Sequence, residues 1–194
     1  MPMYMVNLRS LVPQNLERMF RFRQEIRQEV GRLLQAFFHP IVVNRARPGQ
    51  PPFTGAAITW GPVAAKIADD EMVCYFVTDR DRSVISSVGG GINTGIHGPV
   101  GTGGNTFASS SGMVSEVYLD RVVGGPIAIA NVAFHELMHN KLDAQQDGAP
   151  VASIHNTDGM AVPDGIVRDF PSPANIALMR DNIFRVVPQY RGRL

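Results

Sequence analysis

One short run restricts how this chain can fold more than any other: "NVAFHELMHNKL", Asn131 to Leu142. Ile127, Ile129, Val132, Phe134, Leu137, Met138 and Leu142 fall all around the helix that this region predicts, so the helix should run through the interior. The same run carries His135, Glu136 and His139. Imidazoles and a carboxylate are costly to bury unless something satisfies them. The fold must therefore bring partners, or a ligand, to this helix. Pro126, behind a pair of glycines, suits the first helical position, and "DGAP" from Asp147 to Pro150 should end the helix, giving a span of about 126–145.

The three polar residues stand in the order H-E-x-x-H. Residues four apart lie one turn apart on the same helix face, so His135 and His139 can direct two ring nitrogens at one ion, about 2.0–2.1 Å away for zinc. Glu136 follows the first histidine directly and is turned from chelation toward a water on the metal. Zinc lowers the pKa of such a water toward ~7, and a carboxylate beside it can take the proton and hand it to a leaving amine. Chance would produce this pattern on the order of once in a few hundred such chains. A buried setting and a base next to a ligand favour the catalytic reading, with one Zn2+ per chain.

The remaining chain reads as a single domain, 1–194, of α+β class. Its 194 residues suffice for a real core, and 44% apolar with 18% charged residues describes an ordinary globular composition. Apolar residues at Leu16, Met19, Phe20, Ile26, Val30, Leu33, Leu34 and Phe37 predict an N-terminal helix over about 14–38. Ile41–Val43 reads as a short strand and "RPGQPP" as a loop. "MVCYFVTD", Met72 to Asp79, reads as a strand buried on both faces. Residues 89–104 are glycine-rich without the lysine of a phosphate loop, and read as a surface loop. "VSEVYLD", Val114 to Asp120, alternates as a strand should. A C-terminal helix is expected from Pro173 to about Val187.

A net charge of +1 selects no partner. Residues 1–50 hold eight arginines against Glu17, Glu25 and Glu29, a bias better read as a solvated basic helix face than as a nucleic-acid surface. Cys74 is the only cysteine, so the fold cannot depend on an internal disulfide. No stretch approaches the ~20 apolar residues of a membrane span, and the N-terminus lacks a signal-peptide core. A chain made in the cytoplasm is expected. Retention as a housekeeping protease and signal-independent export as an effector or toxin both stay open, as does the oligomeric state.

"HELMH" in this setting resembles the active-site helix of the zincin metallopeptidases, and the looser resemblance runs from about Met72 to Met160. It implies a mixed, mostly parallel sheet above the helix, with an antiparallel edge strand that borders the cleft and pairs with extended substrate. "VSEVYLD" is the expected edge strand. The chain departs from the named subfamilies. Leu142 and Gln145 stand where metzincins have Gly and a third His, and no Glu follows Glu136 to serve as in gluzincins. "NTDG", Asn156 to Gly159, only approaches the aspzincin motif. Peptide deformylases use a cysteine as third ligand, but "EMVCYF" around Cys74 is unlike their segment.

His155 is the expected third ligand, one loop beyond the helix, since imidazole suits zinc and needs no charge compensation. Asp158, Asp147 and Asp143 are the alternatives, and Asp158 could instead accept a hydrogen bond from the His155 ring. Met160 would lie beneath the metal, as a methionine does in metzincins. Tyr118, Tyr190 and His97 are candidate transition-state stabilisers. His39, before Pro40, reads as a cap or surface residue. The expected function is zinc-dependent hydrolysis of a protein or peptide. The alternatives are a deformylase-like zinc amide hydrolase and a non-catalytic binding protein that holds zinc.

Overall fold

In the computed structural model, the described residues are 1–12, 22–61, 67–77, 104–109, 112–142, 171 and 173–191. They form a mixed α/β fold. Strand β1 (Met3–Ser10) is followed by helix α1 (Gln24–Val42), then β2 (Gly55–Trp60), β3 (Met72–Val77), β4 (Gly104–Ser109) and β5 (Gly112–Tyr118). Helices α2 (Gly125–Leu142) and α3 (Pro173–Asn182) complete the order. The five strands make one sheet in the order β2-β1-β3-β5-β4. The first four run parallel, and β4 lies antiparallel along β5. Parallel neighbours need a crossover, and α1 supplies the one between β1 and β2.

Three expectations are corrected here. "VSEVYLD" is not the edge strand: β5 is paired on one side with β3 and on the other with β4. The antiparallel edge is β4, whose first residue, Gly104, had been assigned to the glycine-rich loop. Ile41–Val43 is not a strand either. The helix continues through Pro40 to Val42, Val43 caps it, and Asn44 takes a left-handed conformation at φ 60 that turns the chain away. Finally, β1 and β2 were not foreseen, and α1 starts at Gln24; the part of the expected helix before residue 22 lies outside the described residues. The expectation for "MVCYFVTD" holds over Met72–Val77, where every residue of β3 is buried, and Thr78 and Asp79 lie outside the described residues.

All three helices contribute to the core on one sheet face. Tyr4, Val6 and Leu8 of β1, Met72, Cys74 and Phe76 of β3, and Val117 of β5 meet Val30, Leu34, Phe37 and Phe38 of α1 there. Ala130, Phe134 and Leu137 of α2 and Met179 of α3 close the same cluster. Phe134 packs on Phe38 with centroids 5.1 Å apart and edge-on to Phe37 at 5.8 Å. Burying each such ring stabilises by roughly 1.5–3 kcal/mol. The other sheet face carries a smaller cluster: Val73, Tyr75 and Val77 of β3, Val114 and Tyr118 of β5, with Leu11, Ile67 and Tyr190.

Two arginines of the basic N-terminal segment are paired. Arg32 meets Glu29 on the exposed side of α1, and Arg47 reaches both Asp70 and Glu71 just before β3. No helix among the described residues is long and apolar enough to cross a membrane.

Candidate active site

Helix α2 is buried over most of its length, as its sequence requires: Ala130, Ala133, Phe134, Leu137, Met138 and Leu142 are all at 0% exposure. What distinguishes it is the polar residues that are buried with them, namely Asn131, Glu136, Asn140 and Lys141. Lys141 donates to the backbone carbonyls of Asp70 and Arg185. Burial holds its pKa down to about 8, against the pull of Asp70. It pins the C-terminal end of α2 to the loop before β3.

His135 and His139 converge as their spacing predicts. Their Nε2 atoms are 3.0 Å apart, and their rings stand nearly edge to face, with centroids 4.6 Å apart. Two nitrogens bound to one tetrahedral zinc at about 2.0–2.1 Å would sit roughly 3.3–3.4 Å from each other. The observed pair is within a few tenths of an ångström of that spacing, so the donor set fits zinc. Asn131 precedes His135 by one turn, on the same face. Its amide is 1% exposed, and neither polar atom finds a partner among the described residues.

Glu136 is turned to the sheet. Its carboxylate Oε2 accepts from the Thr106 hydroxyl of β4 at 2.9 Å, and its backbone carbonyl is approached by Thr106 at 2.8 Å and by Ser115 of β5 at 3.2 Å. The carboxylate can come this close to the edge strand only because residue 104 is glycine. A Cβ there would lie 2.7 Å from Glu136 Cγ, 2.8 Å from its Oε1 and 2.6 Å from the Glu116 carbonyl.

Behind Glu136 the polar contacts continue. Asn140 donates to Ser115 Oγ at 3.0 Å and to Gln189 Oε1 at 3.0 Å, while Gln189 Nε2 donates back to Asn140 Oδ1 at 2.6 Å. Gln189 also accepts from the Val73 amide and donates to the Val187 carbonyl. Every amide proton of this Asn–Gln pair is used, the condition under which a buried polar network stabilises instead of costing free energy. The segment bearing Gln189 lies against the start of β5 through Met113 N→Pro188 O and Tyr190 N→Met113 O. It crosses directly over Gly112, where a Cβ would be 2.6 Å from Gln189 C.

The sequence-predicted residues therefore divide. His135, Glu136 and His139 are brought together. Tyr118 and Tyr190 are not part of that group, because they belong to the cluster on the opposite sheet face. Tyr118 donates to Glu116 at 3.1 Å, and burial next to that carboxylate pushes its pKa up. Tyr190 packs on Tyr75, whose hydroxyl donates to its carbonyl. Cys74 is buried in β3, with its thiol pushed up by burial and by Glu136. Among the described residues no third His, Cys, Asp or Glu joins the two histidines in a metal-holding group. His155, Asp143, Asp147, Asp158, Met160, His97 and the loop up to residue 103 lie outside the described residues. His39 is exposed at the end of α1, as its position before Pro40 implied.

Thr106, Ser115, Asn140 and Gln189 were missed. Asn140 alone carried a signal, as a polar residue in a helix predicted to be buried all around. Comparison with protein-family models, curated proteins and solved structures finds no match.

Proposed function

We propose that this protein is a zinc-dependent metallopeptidase of the zincin type. The observation that carries the reading is the pairing of two converging imidazoles with an adjacent buried carboxylate. His135 and His139 present their Nε2 atoms to one point, and Glu136 is held beside them by an edge-strand hydroxyl. The sheet supports it too, being mostly parallel with an antiparallel strand at its edge next to α2. In this reading β4, not β5, is the strand against which an extended peptide would add.

His135 and His139 would hold the metal as neutral imidazoles, with His155 proposed as the third ligand. Zinc, when bound, supplies Lewis-acid activation of a water and of the scissile carbonyl. Glu136 would take a proton from the attacking water as the water oxygen bonds the carbonyl carbon, and would give it to the amine nitrogen as the C–N bond breaks. Its fixed orientation matters because proton transfer needs hydrogen-bond reach, about 2.6–3.2 Å between heavy atoms.

The deformylase-like alternative loses support from Cys74. This cysteine is buried in β3 and forms no metal-holding group with His135 and His139 among the described residues. A purely structural zinc would have no need of the carboxylate next to its ligands. The test combines metal analysis with Glu136→Gln. The wild type should carry one zinc per chain and cleave peptide bonds, found by mapping new termini in an exposed proteome. The variant should keep the zinc and lose turnover. Absence of zinc after reconstitution, or near-normal turnover by the variant, would overturn the proposal.

A further inference from the structure

We infer that Thr106 is a positioning residue for Glu136, the inner end of a buried relay that runs from Gln189 through Asn140 and Ser115 to the carboxylate. The inference rests on the reading of Glu136 as the general base. It is carried by the count of protons and acceptors around one hydroxyl. Thr106 Oγ1 lies 2.9 Å from Glu136 Oε2, 2.8 Å from the Glu136 carbonyl and 3.1 Å from Ser115 Oγ, yet it has a single proton to give. The surrounding groups determine where that proton goes.

Asn140 Nδ2 donates to Ser115 Oγ, which leaves the Ser115 proton for the Glu136 carbonyl. With that carbonyl served, the Thr106 proton is free for the carboxylate. The orientation of Ser115 depends in turn on Asn140, whose amide is locked in both directions by Gln189. Hydroxyl protons are assigned from such networks, and this one has a self-consistent solution with every amide proton placed. Thr106 thereby ties the carboxylate to β4, while Gly104, two residues earlier on the same strand, keeps open the space that the side chain occupies. The rotamer of Glu136 is set by the edge strand and not by the helix that carries it.

The test uses Thr106→Val, which keeps the branched shape and removes the hydroxyl, and Thr106→Ser, which keeps the hydroxyl. The first readout is the set of three-bond couplings of 13C-labelled Glu136 in metal-free and zinc-loaded protein. Wild type and Thr106→Ser should show one rotamer, and Thr106→Val an average over several. The second readout is kinetic. Thr106→Val should lower kcat about 10–100-fold with KM and zinc content unchanged, and Thr106→Ser should restore most of it. A single Glu136 rotamer in Thr106→Val would sink the inference, as would a Thr106→Ser variant as impaired as Thr106→Val or a loss confined to KM. If the wild type binds zinc and cleaves nothing, the peptidase reading fails, while the couplings still decide whether Thr106 orients Glu136.

Discussion

Helices α1 and α2 are nearly equal in length, 19 and 18 residues, and they solve opposite problems. Helix α1 buries one face, Val30, Gly31, Leu34, Phe37, Phe38, Ile41 and Val42, and leaves Glu29 and Arg32 in water. Its buried side is apolar, so sequence spacing alone explains it. Helix α2 has no such division. It buries Asn131, Glu136, Asn140 and Lys141 among its apolar residues, and its stability depends on groups far away in the chain. One helix is held mainly by area, the other by area together with the hydrogen bonds of Glu136, Asn140 and Lys141. Area tolerates small displacements, whereas hydrogen bonds fix a side chain to within tenths of an ångström. The helix that carries His135, Glu136 and His139 is the second kind.

Phe38→Ala should give the largest loss, roughly 3–5 kcal/mol in urea unfolding, because it opens a cavity against Phe134. It should not alter zinc content per folded chain; if it did, the two modes of support would not be separable. Asn140→Leu should cost less, about 2–3 kcal/mol, since Ser115 and Gln189 each lose a buried partner. It should have the wider reach: amide exchange at Met113 and Tyr190 should speed up as the 187–191 segment loosens, and unchanged protection there would break the distinction.

The pH dependence sharpens the contrast further. The pKa values of Tyr4, Tyr75 and Tyr118 are all raised by burial, so the folded state holds their protons above the ordinary value of 10.0. Their contribution is complete below pH 10 and is lost as pH rises beyond it. Lys141 acts in the opposite sense. Its lowered value, about 8 against 10.5 in the unfolded chain, makes stability rise across that interval. The urea midpoint should thus climb from about pH 8, then fall once only the tyrosines titrate, and Lys141→Met should abolish the climb. The smallest effect belongs to the exposed face of α1: Arg32→Ala removes a solvated pair and should leave the midpoint unchanged within error.

These contrasts also explain what could be read from residues alone. Period and composition placed α1, α2, α3 and β3, and the motif identified His135, Glu136 and His139, because each of these is a local property. Strand β2, "GAAITW", was invisible because glycine and alanine have little strand preference. It pairs in parallel with β1, and Gly31 on α1 leaves room for the Trp60 indole, which lies 3.2 Å from where a Cβ would stand. Pro40 does not end α1: it forgoes its own N–H bond, yet the Val43 amide still reaches the His39 carbonyl, and the left-handed turn comes at Asn44. The alternation in "VSEVYLD" puts Val117 and Leu119 on one face and Glu116, Tyr118 and Asp120 on the other. Glu116 and Tyr118 are nonetheless both buried, and the Tyr118 hydroxyl donates to Glu116 Oε2. The relay behind Glu136 is contributed by residues 9 to 49 positions apart, and spacing carries no trace of such matches.

The placement of Gln189 has a consequence for the order in which a ribosome delivers the parts. Glu136 and both histidines emerge first, and Asn140 directly after them, but its amide partner follows 49 residues later. Until then Asn140 and Ser115 must turn to water, and α2 has no bond through Gln189 to the Val73 amide at the start of β3. Segments made early fold early, so the apolar half of the core can assemble around β1, α1 and β3 while the carboxylate still lacks its full setting. A nascent chain halted before residue 189 should therefore be compact yet unable to hold Glu136 in place. In the proposed peptidase, that delay would tie the onset of cleavage to the arrival of residue 189.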